Sequence, residues 1–76
     1  NNISFLSEKI GNLINLNKLA LNSNLINNIP IEFGNLINLK FLLLSNNNIN
    51  KIPIELKNLT KLESFLIYKN NIKITP

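Results

Sequence analysis

Glu32 and Glu55 stand 23 residues apart in similar surroundings, the carboxylate pair whose spacing most invites a chemical reading. Side by side, two carboxylates can divide acid and base work, provided that burial or a like charge raises one of them. Nothing in the flanking sequence desolvates either one and no nucleophile lies near, so both are expected on a solvated surface. The chain contains no Cys, His, Asp, Arg, Trp or Met, and its remaining carboxylates are Glu8 and Glu63. Without His or Cys there is no Ser-His or Cys-His nucleophile pair, no thiolate and no zinc-type ligand set. Gly11 and Gly34 recur at the same interval, but Lys57 takes the third place, which argues against a phosphate cradle. No catalytic residue, metal site or cofactor is expected, and the chain is not expected to act as an enzyme by itself.

Charge excludes further classes. The net charge is +4, and the eight lysines stand singly along the chain rather than in a block. Dispersed lysines are expected to be solvated and to confer solubility, so no nucleic-acid partner is expected. No apolar run approaches the ~18 residues that would cross a bilayer, so no membrane insertion is expected. Asn2-Ile3-Ser4 and Asn58-Leu59-Thr60 match the N-glycosylation sequon, but chance supplies such matches in so Asn-rich a chain. The absence of Cys points to a reducing, cytoplasmic compartment.

The elements that position these side chains follow from a repeat. Leu16, Leu39 and Leu62 recur at intervals of 23 residues, and the alignment they set needs no insertion or deletion. Residues 1–15 form a partial unit, 16–38 and 39–61 full units, and 62–76 a second partial unit. Alternation in Leu19-Ala20-Leu21, Leu42-Leu43-Leu44 and Phe65-Leu66-Ile67 marks a short strand in each unit with one face inward. One such strand can neither bury its apolar face nor pair its backbone alone, so the copies must stack into a parallel ladder. Leu16, Ile26, Ile29, Phe33 and Leu36 complete the expected core of the first full unit. Leu39, Ile49, Ile52, Leu56 and Leu59 do so in the second, and Leu62 and Ile72 in the third, where Thr75 replaces an expected Ile. Phe65 is expected inward. Pro30, Pro53 and Pro76 open the return segments, whose spacing suits one or two turns of 3₁₀ or α-helix.

Asn1, Asn24, Asn47 and Asn70 hold one position in four successive units. The chain must turn sharply out of the strand there, and a buried Asn carries donors and an acceptor that can pair the stranded backbone groups. Asn12, Asn35 and Asn58 form a second column. Asn46, next to the first column, is expected to face solvent, with Asn46→Ala costing no more than about 0.5 kcal/mol.

The shared frame L-x-x-L-x-L-x-x-N-x-I-x-x-I-P-x-x-F-G-N-L-x-x resembles that of the leucine-rich-repeat family. The length of the unit and its I-P and G-N-L segments are most similar to the typical and Ras-binding-scaffold subclasses. The plant receptor subclass carries one more residue, a Gly before I-P, which is missing here. The resemblance implies an α/β solenoid, a right-handed coil with a short parallel sheet on its concave face and 3₁₀ or short helical returns on its convex face. It also implies that the Asn column forms a structural ladder and that the concave face binds protein. The chain opens at the ninth position of one unit and closes at the fifteenth of another, so it is expected to pack against neighbouring repeats of a longer parent.

Strand residues that point away from the core form the columns Lys18, Phe41, Ser64; Ala20, Leu43, Leu66; Asn22, Ser45, Tyr68; and Ser23, Asn46, Lys69. A buried core cannot absorb Phe41, Leu43, Leu66 and Tyr68, because alternation turns them outward. Apolar and aromatic residues gathered on one surface mark a partner site, here with Lys18 and Lys69 at the rim. The resemblance makes a small GTPase or another signalling protein the expected partner class. An extracellular or surface recognition domain, and a regulatory segment of a larger kinase or GTPase, are the alternative readings.

Overall fold

The computed structural model describes residues 2–72, which leaves the expectations for Asn1, Thr75 and Pro76 outside the described residues. Three strands, β1 (Lys18–Ala20), β2 (Phe41–Leu43) and β3 (Ser64–Leu66), lie in that order in one parallel sheet. A return across the opposite face of the coil precedes β1, and others follow β1 and β2. The returns pass through 3₁₀ turns at Glu8–Asn12, Ile31–Asn35 and Ile54–Asn58. The register pairs Lys18 with Phe41 with Ser64, Leu19 with Leu42 with Phe65, and Ala20 with Leu43 with Leu66. Backbone pairing continues past the strands, with the Leu21 N–H donating to the Leu43 carbonyl at 2.8 Å and Leu44 to Leu66 at 2.8 Å.

The return turns start where the backbone has little freedom. Pro30 and Pro53 precede two of them with φ of −61° and −68°, near the value the pyrrolidine ring imposes. Ser7 holds the equivalent place in the first and caps it, its hydroxyl accepting from the Lys9 N–H at 3.1 Å. Each turn ends after five residues, the next N–H closing back on the third, as Leu36 does on Phe33. This places Phe33 and Leu36 inward together.

The core is a single layer between sheet and returns. Ile26, Phe33, Leu36, Leu39, Leu42, Leu44 and Ile49 are fully buried. Leu16, Leu19, Leu21, Leu62, Ile67 and Ile72 pack on this layer but are only partly covered. Burial in a coil of this kind comes from the units on either side, so the middle strand is the best protected. Phe65 departs from the expected buried state, remaining 38% exposed. Its strand lies at one side of the sheet, where β2 covers a single flank.

Close stacking explains the glycine column. A Cβ built on Gly34 would lie 2.8 Å from the Glu55 carbonyl oxygen, and one on Gly11 would lie 2.9 Å from that of Glu32. Neither glycine has positive φ, so space rather than backbone freedom requires them. Glu32 and Glu55 are half-buried instead of fully solvated, because their Cβ atoms lie against Gly11 and Gly34. Their aliphatic stems therefore form part of the joint between successive returns.

The asparagine column joins successive strand exits. Asn47 Oδ1 accepts from the Ile26 N–H of the preceding unit at 3.1 Å. Its Nδ2 donates to the carbonyls of Leu21 at 3.0 Å, Leu44 at 3.0 Å and Ser45 at 3.3 Å. Asn24 accepts from Ile3 at 3.0 Å and donates to Leu21 at 2.9 Å, and Asn70 accepts from Ile49 at 3.0 Å and donates to Leu44 at 3.0 Å. The residue before each of these, Ser23, Asn46 and Lys69, has φ of 61°, 59° and 57°. The chain thus turns through a left-handed residue and then pins the turn with the next side chain. Asn tolerates that backbone conformation better than most L-residues, so Asn46 is a conformational position and not the indifferent surface site expected.

Three outcomes follow for urea melts. Asn47→Ala should destabilise by at least about 2 kcal/mol, since each buried backbone group left unpaired costs roughly 1–3 kcal/mol. Asn46→Ala should cost about 1 kcal/mol, with Asn46→Gly restoring stability to near the starting value. Equal losses for Asn46→Ala and Asn46→Gly would show that φ is not the cause. Gly34→Ala should cost about 1–3 kcal/mol through overpacking against Glu55, and a neutral result would mean that the returns are not in close contact.

Candidate functional site

The sheet's outer face holds the candidate site, and its register decides which side chains meet. Leu43 lies laterally between Ala20 and Leu66, and Phe41 between Lys18 and Ser64. Phe41 is 37% exposed, Leu66 44% and Tyr68 58%, while Leu43, in the middle strand, is half-buried. Lys18 and Lys69 are both exposed. Four apolar or aromatic side chains therefore share the outward face of two adjacent strands, with a lysine at either end of the diagonal.

Tyr68 is held by its backbone. Its carbonyl accepts from the Asn46 N–H at 3.0 Å and from Asn70 Nδ2 at 3.3 Å, so the ring stands on a segment tied to the asparagine column. Leu43 and Leu66 stand on paired strands. The patch rests on regular hydrogen-bonded backbone rather than on a free loop, which lowers the ordering cost of binding.

Ser45 departs from its expected place. It belongs by alternation to the outward column between Asn22 and Tyr68, yet it is only 3% exposed, and its hydroxyl has no hydrogen-bond partner. Beneath the patch, then, lies a small polar group that contributes nothing to a contact surface. Sequence alternation alone gives no sign of this, because it distinguishes faces and not the height of a side chain within a curved face.

Two features lie away from the sheet. Ile31 and Ile54, paired by the repeat, are 58% and 71% exposed on the return side. As the first residues of their 3₁₀ turns, they point outward while Phe33 and Leu56 turn in. A depression of about 200 Å³ beside them is lined by Asn28, Ile29, Ile31, Lys51 and Pro53. A broader groove of about 560 Å³ is lined by Asn27, Asn48, Asn50, Asn71 and Ile72, with Asn71 Nδ2 donating to Asn48 Oδ1. Neither depression is lined by Phe41, Leu43, Leu66 or Tyr68. Among the described residues, no group of three or more His, Cys, Asp or Glu side chains could hold a metal ion. No helix there is long and apolar enough to cross a membrane.

Neither a family model nor a curated protein matches the chain. Solved structures do. A leucine-rich-repeat protein of Leptospira interrogans superimposes with a TM-score of 0.87 and 30% identity, over 96% of this chain and 19% of its own. The plant peptide hormone receptor RGFR1, solved in complex with RGF2, gives 0.79 and 36% over 86% of this chain and 11% of its own. An internalin of Listeria monocytogenes gives 0.84 and 28% over 97% of this chain and 21% of its own. The chain therefore spans about a fifth or less of the length of each. These neighbours, named as a leucine-rich-repeat protein, a receptor and an internalin, point in general to a protein-binding repeat module.

Ser45→Ala should leave stability unchanged or raise it by up to about 1 kcal/mol, because it removes a buried hydroxyl with no protein hydrogen-bond partner. A loss above that magnitude in a thermal melt would reveal a bond to Ser45 that the structure lacks.

Proposed function

Because this chain is a leucine-rich-repeat protein, we propose that it binds a protein partner through the outer face of its sheet. Phe41, Leu43, Leu66 and Tyr68 form the contact centre in this reading, and Lys18 and Lys69 its rim. The observation that carries it is the exposure of Phe41, Leu66 and Tyr68 beside half-buried Leu43, on β2, on β3 and just beyond it, with none of the four among the buried core. An apolar and aromatic centre with charge outside has the make-up of an interface hot spot. The receptor solved in complex with RGF2 supports the reading, since that neighbour is itself a repeat protein holding a ligand.

The partner class and setting belong to the same proposal. The length of the unit and its I-P segment favour the scaffold-like subclass, and with it a small GTPase or another signalling protein. The lack of Cys favours a cytoplasmic setting. Neighbouring repeats of a longer parent would extend the same face on either side.

In a quantitative binding assay with the protein that the chain captures, Phe41→Ala or Tyr68→Ala should weaken binding by about 2 kcal/mol or more and leave the fold intact. Glu32→Ala, on the opposite side, should leave affinity unchanged. Undiminished binding by the Phe41→Ala/Tyr68→Ala double variant would overturn the concave-face reading.

A further inference from the structure

The return turns carry both signs, with Glu8, Glu32 and Glu55 set among Lys9 and Lys57. On the sheet side the chain carries Lys18, Lys40 and Lys69, with Glu63 as the opposing charge. Glu63 follows Lys40 by one repeat, its backbone N–H donating to the Lys40 carbonyl at 2.7 Å, so opposite charges hold neighbouring positions there. Among the described residues, no carboxylate shares a register position with Lys18 or a repeat position with Lys69. The register sets Phe41 beside Lys18, and the repeat sets Asn46 beside Lys69. Two exposed cations therefore mark opposite corners of the apolar patch.

Resting on the concave-face reading, we propose that the face accepts an extended segment of the partner that is acidic at both ends and apolar between. The separation of the corners sets the spacing. Lys18 and Lys69 are two strands apart, about 10 Å across the sheet at about 4.8 Å per strand. Lys69 shares the repeat position of Ser23, five positions beyond Lys18. That adds up to roughly 16 Å along the strands, less where the chain bends at its left-handed residue. The diagonal is roughly 15–19 Å, which an extended peptide covers in about five or six residues. An acidic side chain at each end of such a stretch meets a lysine, and the apolar residues between lie across Leu43 and Leu66. A basic segment would instead place like charge against both corners, so the arrangement selects against it as well as for its opposite.

The test is selection of random peptides displayed on phage against the whole chain. Peptides enriched on the native chain should carry two acidic residues about five or six apart with aliphatic or aromatic residues between them. Their affinity should fall at least tenfold as salt rises from low to high. Selection on the Lys18→Glu/Lys69→Glu variant should reverse the ends to basic and keep the apolar middle. Phe41→Ala/Tyr68→Ala should abolish the apolar preference. Apolar peptides enriched without acidic ends, or unchanged on the charge-reversed variant, would overturn this inference and leave the concave-face reading standing. Enrichment indifferent to Phe41 and Tyr68, or none on the native chain, would overturn both.

Discussion

A strand of three residues that ends in a sharp turn leaves carbonyls and N–H groups facing inward with no ladder to join, and this fold is organised around pairing them. At Asn47 one carboxamide accepts from the previous unit's Ile26 and donates to carbonyls of both units, Leu21 and Leu44. Asn70 repeats the pattern one unit on, sharing the Leu44 carbonyl with Asn47. No other side chain in this sequence carries two donors and an acceptor on so short a stem. The left-handed residue just before each asparagine sharpens the turn enough to place the carboxamide inside.

With the exits pinned at a fixed interval, the rest of the packing must keep the same interval. Successive returns come close enough to exclude a Cβ at Gly11 and Gly34, and the stems of Glu32 and Glu55 lie in that joint. Leu36, Leu39 and Leu42 are fully buried because layers cover them from both sides, whereas Leu19 and Phe65 at the two flanks of the sheet remain partly open. Stability in such a coil is shared between neighbours, so a change in one unit is felt in the next. The outward strand positions stand apart from this constraint. They occupy paired, rigid backbone but take no part in the core, which leaves their chemistry free to meet a partner.

Most of the architecture was legible in the repeat alone. One interval of 23 residues implies the parallel register, and Lys18, Phe41 and Ser64 do align as alternation requires. What remained hidden depends on curvature and local backbone. Nothing in Ser23, Asn46 and Lys69 as residue types signals one shared left-handed conformation, since Ser and Lys have no preference for it. Ile31 and Ile54 are apolar, yet each, as the first residue of a five-residue 3₁₀ turn, faces outward. Ser45 sinks into the curved face between its neighbours, a matter of depth that a two-sided alternation cannot express. The exposed patch was legible because Phe41, Leu43, Leu66 and Tyr68 contradict the polar outward pattern that a solvated sheet face would carry.

Two apolar surfaces lie on opposite sides of the coil, the sheet patch and the Ile31–Ile54 column. The sheet patch has the aromatic side chains and the lysine rim, and it rests on hydrogen-bonded strands. The return column has two aliphatic residues beside the carboxylates of Glu32 and Glu55. Side-chain NMR on addition of the captured protein partner distinguishes them directly. Binding through the sheet face should shift or broaden the Leu43 and Leu66 methyls and the Phe41 and Tyr68 rings while the Ile31 and Ile54 methyls stay in place. Perturbation centred on Ile31 and Ile54, with Leu43 and Leu66 unmoved, would contradict it.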